Sequence, residues 1–146
     1  MKKNFFLIIF LILVLLGCGK NEKEISLIKE TDQNLEIITT YNEAYKSLEE
    51  GDPYFAAKKF LEAELLFPQS IWAPRSSLMT AYSYYSFGMY KDSIIEINRY
   101  LKTYPLHDRK NYAYYLLAIC HYNQIVDETK DLGEIIKAQK YFNLII

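Results

Sequence analysis

The chain has two cysteines, two histidines and one tryptophan in 146 residues, and these scarcities exclude several kinds of chemistry. Cys18 stands at the end of an apolar leader, which leaves Cys120 without a partner, so no intramolecular disulfide is expected and Cys120 reads as a small buried hydrophobe. His107 and His121 are not spaced from cysteine or carboxylate as a triad or a metal site requires, and no cofactor is implied. His107 reads as a group that orders a loop and His121 as a packed core residue. Positive charge is also limited. Lys and Arg number 17 against 18 Asp and Glu, with no basic stripe of the kind that follows nucleic acid. The apolar run at residues 5–16 is shorter than the roughly 20 residues of a membrane-spanning helix. What is abundant is tyrosine, 14 against 8 phenylalanines. Its ring carries a polar tip and suits half-buried surfaces.

Residues 72–105 organise the rest, reading as two amphipathic helices hinged at Gly88 and closed by Pro105. Leu78, Ala81, Tyr82 and Tyr85 fall on one side of the first helix. Gly88 can close it in the left-handed conformation, and Pro105 cannot continue the second. A shift of 37 positions maps Ala81 to Ala44, Gly88 to Gly51, Ser93 to Ala56, Ile97 to Phe60, Tyr100 to Ala63 and Pro105 to Pro68. The same shift forward maps Ala81 to Ala118. Small residues therefore recur where paired helices approach closely, and a proline ends the second helix. The pattern resembles the tetratricopeptide repeat. It predicts an all-α solenoid of antiparallel helix pairs over residues 31–146, with repeats at about 37–73, 74–110 and 111–146, the last incomplete.

Local signals set the expected boundaries. Thr31 or Asp32 caps the first helix, which runs to Glu50 before Gly51. Asp52 and Pro53 open the second, which runs to about Phe67. Ser70 caps the third, with Pro74 in its first turn. The fifth starts near Arg109 with Asp108 as its cap and ends around Val126. From Ala118 to Ala138 is 20 positions where the earlier landmarks are 12 apart, so the third repeat holds eight extra residues between its helices, around 127–133. The last helix begins at about Glu134 and is still apolar at residues 144–146, which reads as truncation within the repeat.

The start of the chain reads as a signal peptide at residues 1–17, with Lys2 and Lys3 ahead of the apolar run. Leu15-Leu16-Gly17-Cys18 resembles a bacterial lipobox, which implies cleavage before Cys18 and its acylation. Several acyl chains make such anchoring stable. Gly19, in place of the aspartate that retains lipoproteins in the inner membrane, implies the periplasmic face of the outer membrane. Residues 18–30 are charged and read as a lipidated tether.

The junction motifs narrow the resemblance. Tyr104-Pro105-x-His107 followed by residues 111–115, Tyr41-Asn42-x-Ala44, and Phe67-Pro68-x-Ser70-x-x-Ala73 resemble the BamD family of outer-membrane assembly lipoproteins. The likeness covers the lipobox and about residues 37–146, some three of five expected repeats, and includes the insertion in the third. It departs at Asn111, where the family often has aspartate, and at Phe67, where tyrosine is commoner. The resemblance implies a non-catalytic adaptor whose first repeats meet the C-terminal segments of unfolded barrel proteins. Later repeats, outside this chain, dock on the POTRA domains of the barrel component. A cell-wall or cell-division adaptor is the alternative, and a wall hydrolase is disfavoured by the missing carboxylate pair.

The first helix of each repeat lines the concave wall in such folds, which assigns three rows. These are Ile38, Tyr41, Tyr45, Leu48 and Glu49; Arg75, Leu78, Tyr82, Tyr85 and Ser86; and Tyr112, Tyr115, Ile119, Tyr122 and Asn123. Seven of the 14 tyrosines fall on them. The candidate peptide groove is Tyr41, Tyr45, Arg75, Leu78, Tyr82, Tyr85, Tyr112, Tyr115 and Tyr122, where rings could grip an extended peptide at low entropy cost. The competing reading is that these rings pack against the neighbouring repeat.

Overall fold

Gly51 and Gly88 occupy equivalent places in consecutive repeats, and in this computed structural model both take positive φ, +87° and +78°. Each closes a helix with the same bond pattern. Met89 N–H donates to Tyr84 O and Asp52 N–H to Ser47 O, both at 2.9 Å, with the glycine N–H groups on Tyr85 O and Leu48 O. A residue with a Cβ would lose about 1–2 kcal/mol in that left-handed turn.

The structure describes residues 22–127, 129–130 and 132–145. The expected leader, lipobox and Cys18 lie outside them. The chain divides into two units, Met1–Asp32 and Gln33–Ile146, and the packing below is that of the second. Among the described residues there are six helices and no strands: α1 Glu22–Glu49, α2 Pro53–Leu66, α3 Ala73–Ser86, α4 Tyr90–Thr103, α5 Lys110–Tyr122 and α6 Leu132–Phe142. They form the expected all-α succession of helix pairs.

Several boundaries follow the local chemistry. Asp52 Oδ1 accepts from Phe55 N–H at 3.0 Å, with Pro53 in the first helical position. Ser70 Oγ accepts from Ala73 N–H at 3.2 Å. Phe67 and Tyr104, each followed by proline, leave the helix at φ −141° and −123°, because the proline ring disfavours helical backbone before it.

Three boundaries differ from expectation. α1 begins at Glu22, well before Thr31 and Asp32, so residues 22–30 of the expected tether are helical. Rich in Glu and Lys and free of glycine and proline, they have no reason to break a helix. Asp108 does not cap α5. Arg109 occupies the cap position without a side-chain bond, and the Asp108 carboxylate instead meets His107 Nε2 at 3.2 Å. α5 also stops at Tyr122, short of Val126. Ile125 stands where the earlier repeats carry glycine, and a β-branched residue cannot take the left-handed closure. The chain therefore leaves through a longer connection to α6.

Small residues bring the paired helices together. Ala44, Ala56, Ala81, Ser93, Ala118 and Ala138 are all buried, and Ser93 Oγ donates to Ala81 O at 2.8 Å. One apolar cluster gathers Ala44, Ala56 and Phe60; a larger one gathers Leu78, Ala81, Ile97, Tyr100, Leu116, Leu117 and Cys120. Burial pushes the Cys120 thiol up to about 11, which makes it a packing group and not a nucleophile. Tyr100 OH and His107 Nδ1 share a 2.6 Å hydrogen bond at the repeat junction. His121 is buried and joins α5 to α6 through Glu134 Oε2 at 2.6 Å. α3 is packed by both α2 and α4, and it turns Ser76, Ser77, Thr80 and Ser83 inward. Thr80 and Ser83 satisfy their hydroxyls on carbonyls four residues back.

A buried ion pair links the first two repeats. Arg99 of α4 donates from both terminal nitrogens to Glu64 of α2, at 2.7 and 2.6 Å, and to Ser77 of α3 at 3.2 Å. Tyr104 OH donates to the same carboxylate at 2.9 Å. Glu64 has a side-chain exposure of 4%. Replacing it by alanine leaves the Tyr104 hydroxyl without its acceptor and the guanidinium, 34% exposed, with only Ser77 and the 2.8 Å bond from its Nε to Glu96, so Glu64→Ala should destabilise the domain by about 2 kcal/mol. Glu64→Gln, which keeps acceptor and shape, should lose less. Urea unfolding at neutral pH checks this, and a loss below about 1 kcal/mol for Glu64→Ala would show that the pair contributes little.

Candidate peptide-binding groove

The groove wall is built from α1, α3 and α5, the first helices of the three pairs. A cleft of about 530 Å³ opens between them, lined by Tyr41, Arg75, Leu78, Met79, Tyr82, Arg109 and Tyr112. It brings together five of the nine anticipated residues, drawn from all three rows. Tyr41 is held edge-on against Phe60 at 5.1 Å and tilted on Trp72 at 5.1 Å. Tyr82 contacts Tyr85 at 6.3 Å, and Tyr112 contacts Tyr115 at 6.2 Å. The rings are thus fixed by their neighbours while their edges stay open. Tyr45 and Tyr115 are about half exposed, at 47% and 44%. Leu78 gives most of its side chain to the core.

Tyr122 does not join this cleft. With Asn123 it lines a separate groove of about 890 Å³ together with Ile135, Ala138 and Phe142 of α6. The third row therefore splits: Tyr112 faces the central cleft, whereas Tyr115 meets Phe142 of α6 at 6.4 Å and Tyr122 faces α6 as well. The rings divide their surface between packing and exposure. Tyr41, Tyr82 and Tyr85 are partly buried against neighbouring elements, and each still presents surface.

Arg109 and Met79 are cleft residues that the row assignment passed over. Arg109 lies 37 positions after Trp72, so the repeat register itself carries the signal: both precede the first helix of a pair. The Arg75 guanidinium stacks 5.3 Å from the centre of the Trp72 ring, a cation–π contact that holds its position without neutralising it. Among the described residues neither arginine has a carboxylate within 4.0 Å. The first turns of α3 and α5 carry no acidic residue. Two uncompensated cations and two helix N-termini therefore border a ring-lined cleft, an arrangement that favours a ligand with an anionic end and apolar or aromatic side chains.

Electrostatics at the rings agree with half-burial. Burial raises the Tyr41 hydroxyl above its usual range, and the positive charges of Arg75 and Arg109 oppose that shift. Burial, helped by Tyr82, Tyr115 and Tyr85, pushes Tyr112 up to about 12.

Antiparallel helix pairs recurring at 37 residues, with small residues buried between paired helices, define a tetratricopeptide-repeat protein. In agreement, the crystal structure of the TPR domain of Arabidopsis FLU superimposes with a TM-score of 0.63, covering 77% of this chain and 93% of that one at 18% identity. The family described as "YfiO: Outer membrane lipoprotein" matches residues 33–146. The outer membrane protein assembly factor BamD of Caulobacter vibrioides is 35% identical over 115 residues, 79% of this chain and 37% of its own. That of Rickettsia prowazekii is 29% identical over 134 residues, 92% of this chain and 51% of its own. The chain belongs to this YfiO/BamD family. It spans between 37% and 51% of the length of these two relatives.

The raised tyrosines have a consequence for stability. Tyr100 and Tyr112 titrate at about 12, mainly through burial, against 10.0 in the absence of structure. Between those values the native state holds more protons than the unfolded chain, so stability falls as pH rises. Their contribution is complete below about pH 10 and lost above about pH 12. Urea midpoints followed by circular dichroism should therefore decline steadily over this window, and Tyr112→Phe should flatten the decline. A midpoint that stays level would mean that these hydroxyls ionise as freely folded as unfolded.

Proposed function

We propose that the protein is a non-catalytic adaptor of the outer-membrane β-barrel assembly machinery, gripping extended segments of unfolded barrel precursors along the tyrosine wall. The observation that carries this reading is the central cleft, where Arg75 and Arg109, without carboxylate partners among the described residues, stand among Tyr41, Tyr82 and Tyr112. A peptide's terminal carboxylate suits the arginines and its aromatic side chains suit the rings. The names of the assembly-factor relatives support the machinery. In this reading Cys18 carries the lipid that holds the protein at the periplasmic face of the outer membrane. Docking on the POTRA domains of the barrel component belongs to sequence beyond these three repeats.

Two measurements test it. A fluorescent peptide from the C-terminus of a barrel protein should bind Tyr82→Ala/Tyr85→Ala at least about tenfold more weakly than the parent, since truncated hot-spot rings commonly cost about 2 kcal/mol each. Helicity should be unchanged, and amidating the peptide's carboxylate should weaken binding as well. Equal anisotropy curves for parent and double variant would remove the groove from the proposal. For the anchor, Cys18→Ala should move the protein from the membrane to the soluble fraction after cell breakage; unaltered fractionation would refute lipid attachment at that residue.

A further inference from the structure

α2 and α4 are the second helices of consecutive repeats, yet their outward faces differ. α4 carries Lys91, Asp92, Ile95, Asn98, Lys102 and Thr103 at positions that face away from the core, an ordinary solvated surface. The residues 37 positions earlier on α2 are Tyr54, Phe55, Lys58, Leu61, Leu65 and Leu66. Tyr54 packs in part on Tyr84 and Phe87, at 6.5 and 5.8 Å, but the fold tolerates polar groups at the equivalent positions, so the rest of the apolar stripe on α2 is not required by the repeat. Leu65 is 67% exposed, and Tyr54, Phe55 and Leu66 are also exposed. A shallow depression of about 330 Å³ runs along the stripe between Lys58, Leu61, Glu62, Leu65 and Leu66. Contiguous exposed apolar side chains of this kind mark interaction surfaces, unlike single scattered ones.

We propose that this face pairs with the same face of a second copy, antiparallel, about a two-fold axis level with residue 60. The stripe is self-complementary in that register except at Leu61, which meets Lys59 at its edge. Residue numbers that sum to 120 stand opposite one another: Phe55 meets Leu65, Tyr54 meets Leu66, and Lys58 meets Glu62, each twice by symmetry. The only two charges within the stripe therefore fall opposite each other with opposite sign. Reversing the direction of the partner helix would set Lys58 against Lys58. Lys58 is held over the Tyr54 ring at 4.5 Å, near the middle of the stripe. Glu62 gives one oxygen to Lys59 at 3.0 Å, and its other oxygen has no partner among the described residues. Outward leucines can seat between partner side chains as antiparallel helices do when ridges enter grooves. With 14 residues per helix, the contact lies toward the small end of specific interfaces, so association is reversible and concentration-dependent.

The test is sedimentation velocity on the full chain in non-ionic detergent, over about 10 to 500 µM protein. The parent should shift from monomer toward dimer across this range. Lys58→Glu alone, or Glu62→Lys alone, sets like charges opposite twice and should weaken association by roughly tenfold. The double variant Lys58→Glu/Glu62→Lys should restore it, and Leu65→Asp should abolish it. All these positions are exposed, and circular dichroism confirms folding of each variant. A parent that stays monomeric throughout overturns the proposal. So does dimerisation that resists Leu65→Asp, or single charge reversals that the double variant does not rescue, since either places the contact elsewhere or in another register.

Discussion

The carboxylate of Glu64 accepts three hydrogen bonds from the second repeat, two from Arg99 of α4 and one from Tyr104 just after it, while its own helix packs on α3. That arrangement fixes how the second repeat sits on the first. A repeat buries its apolar faces only against its neighbours, so the angle between repeats decides which side chains share a wall. The bidentate geometry of Arg99 admits little rotation. Its side bond to Ser77 brings in α3, the helix that presents Arg75, Leu78 and Tyr82 to the cleft. The middle helix of the groove wall is thereby tied to both second helices behind it by a polar contact. Apolar packing alone would leave that angle softer.

Tyrosine serves both sides of this architecture. Tyr100 is fully buried and satisfied by His107, Tyr104 is satisfied by Glu64, and Tyr41, Tyr82 and Tyr112 are shared between core and cleft. A phenylalanine wall could fill the same volume, but its exposed edges would form an apolar patch with no polar rim. With tyrosine, the ring packs against the next repeat while the hydroxyl reaches water or a ligand. The two readings of the rings, packing or binding, are thus two ends of the same side chain.

The third repeat shows how one residue changes the geometry. Gly51 and Gly88 close their helices tightly, and a short turn follows. Ile125 in the equivalent place forbids that closure, and the path to α6 lengthens accordingly. α6 is held by His121 and Glu134 and by the stacking of His121 and Tyr114 on Tyr141. Tyr122, at the end of α5, faces α6 and not the central cleft.

Periodicity, glycine closures and proline stops lie in the sequence because they are local: each needs only a few neighbouring residues to act. The repeat register, the buried small residues at Ala44, Ala81 and Ala118, and the Asp52 and Ser70 caps were legible for that reason. The helical start at Glu22 was not, because a charged segment without apolar period gives no signal distinguishing helix from coil. The Asp108 cap failed through competition, His107 taking the carboxylate that the helix terminus would have used. The cleft itself was half legible, since its tyrosines follow a helical period. Its second arginine and its separation from Tyr122 depend on how α1, α3 and α5 are set side by side. Part of that setting is the tie between α2, α3 and α4 made by Glu64 and Arg99, which are 35 residues apart in the chain, and only the tertiary structure brings them together.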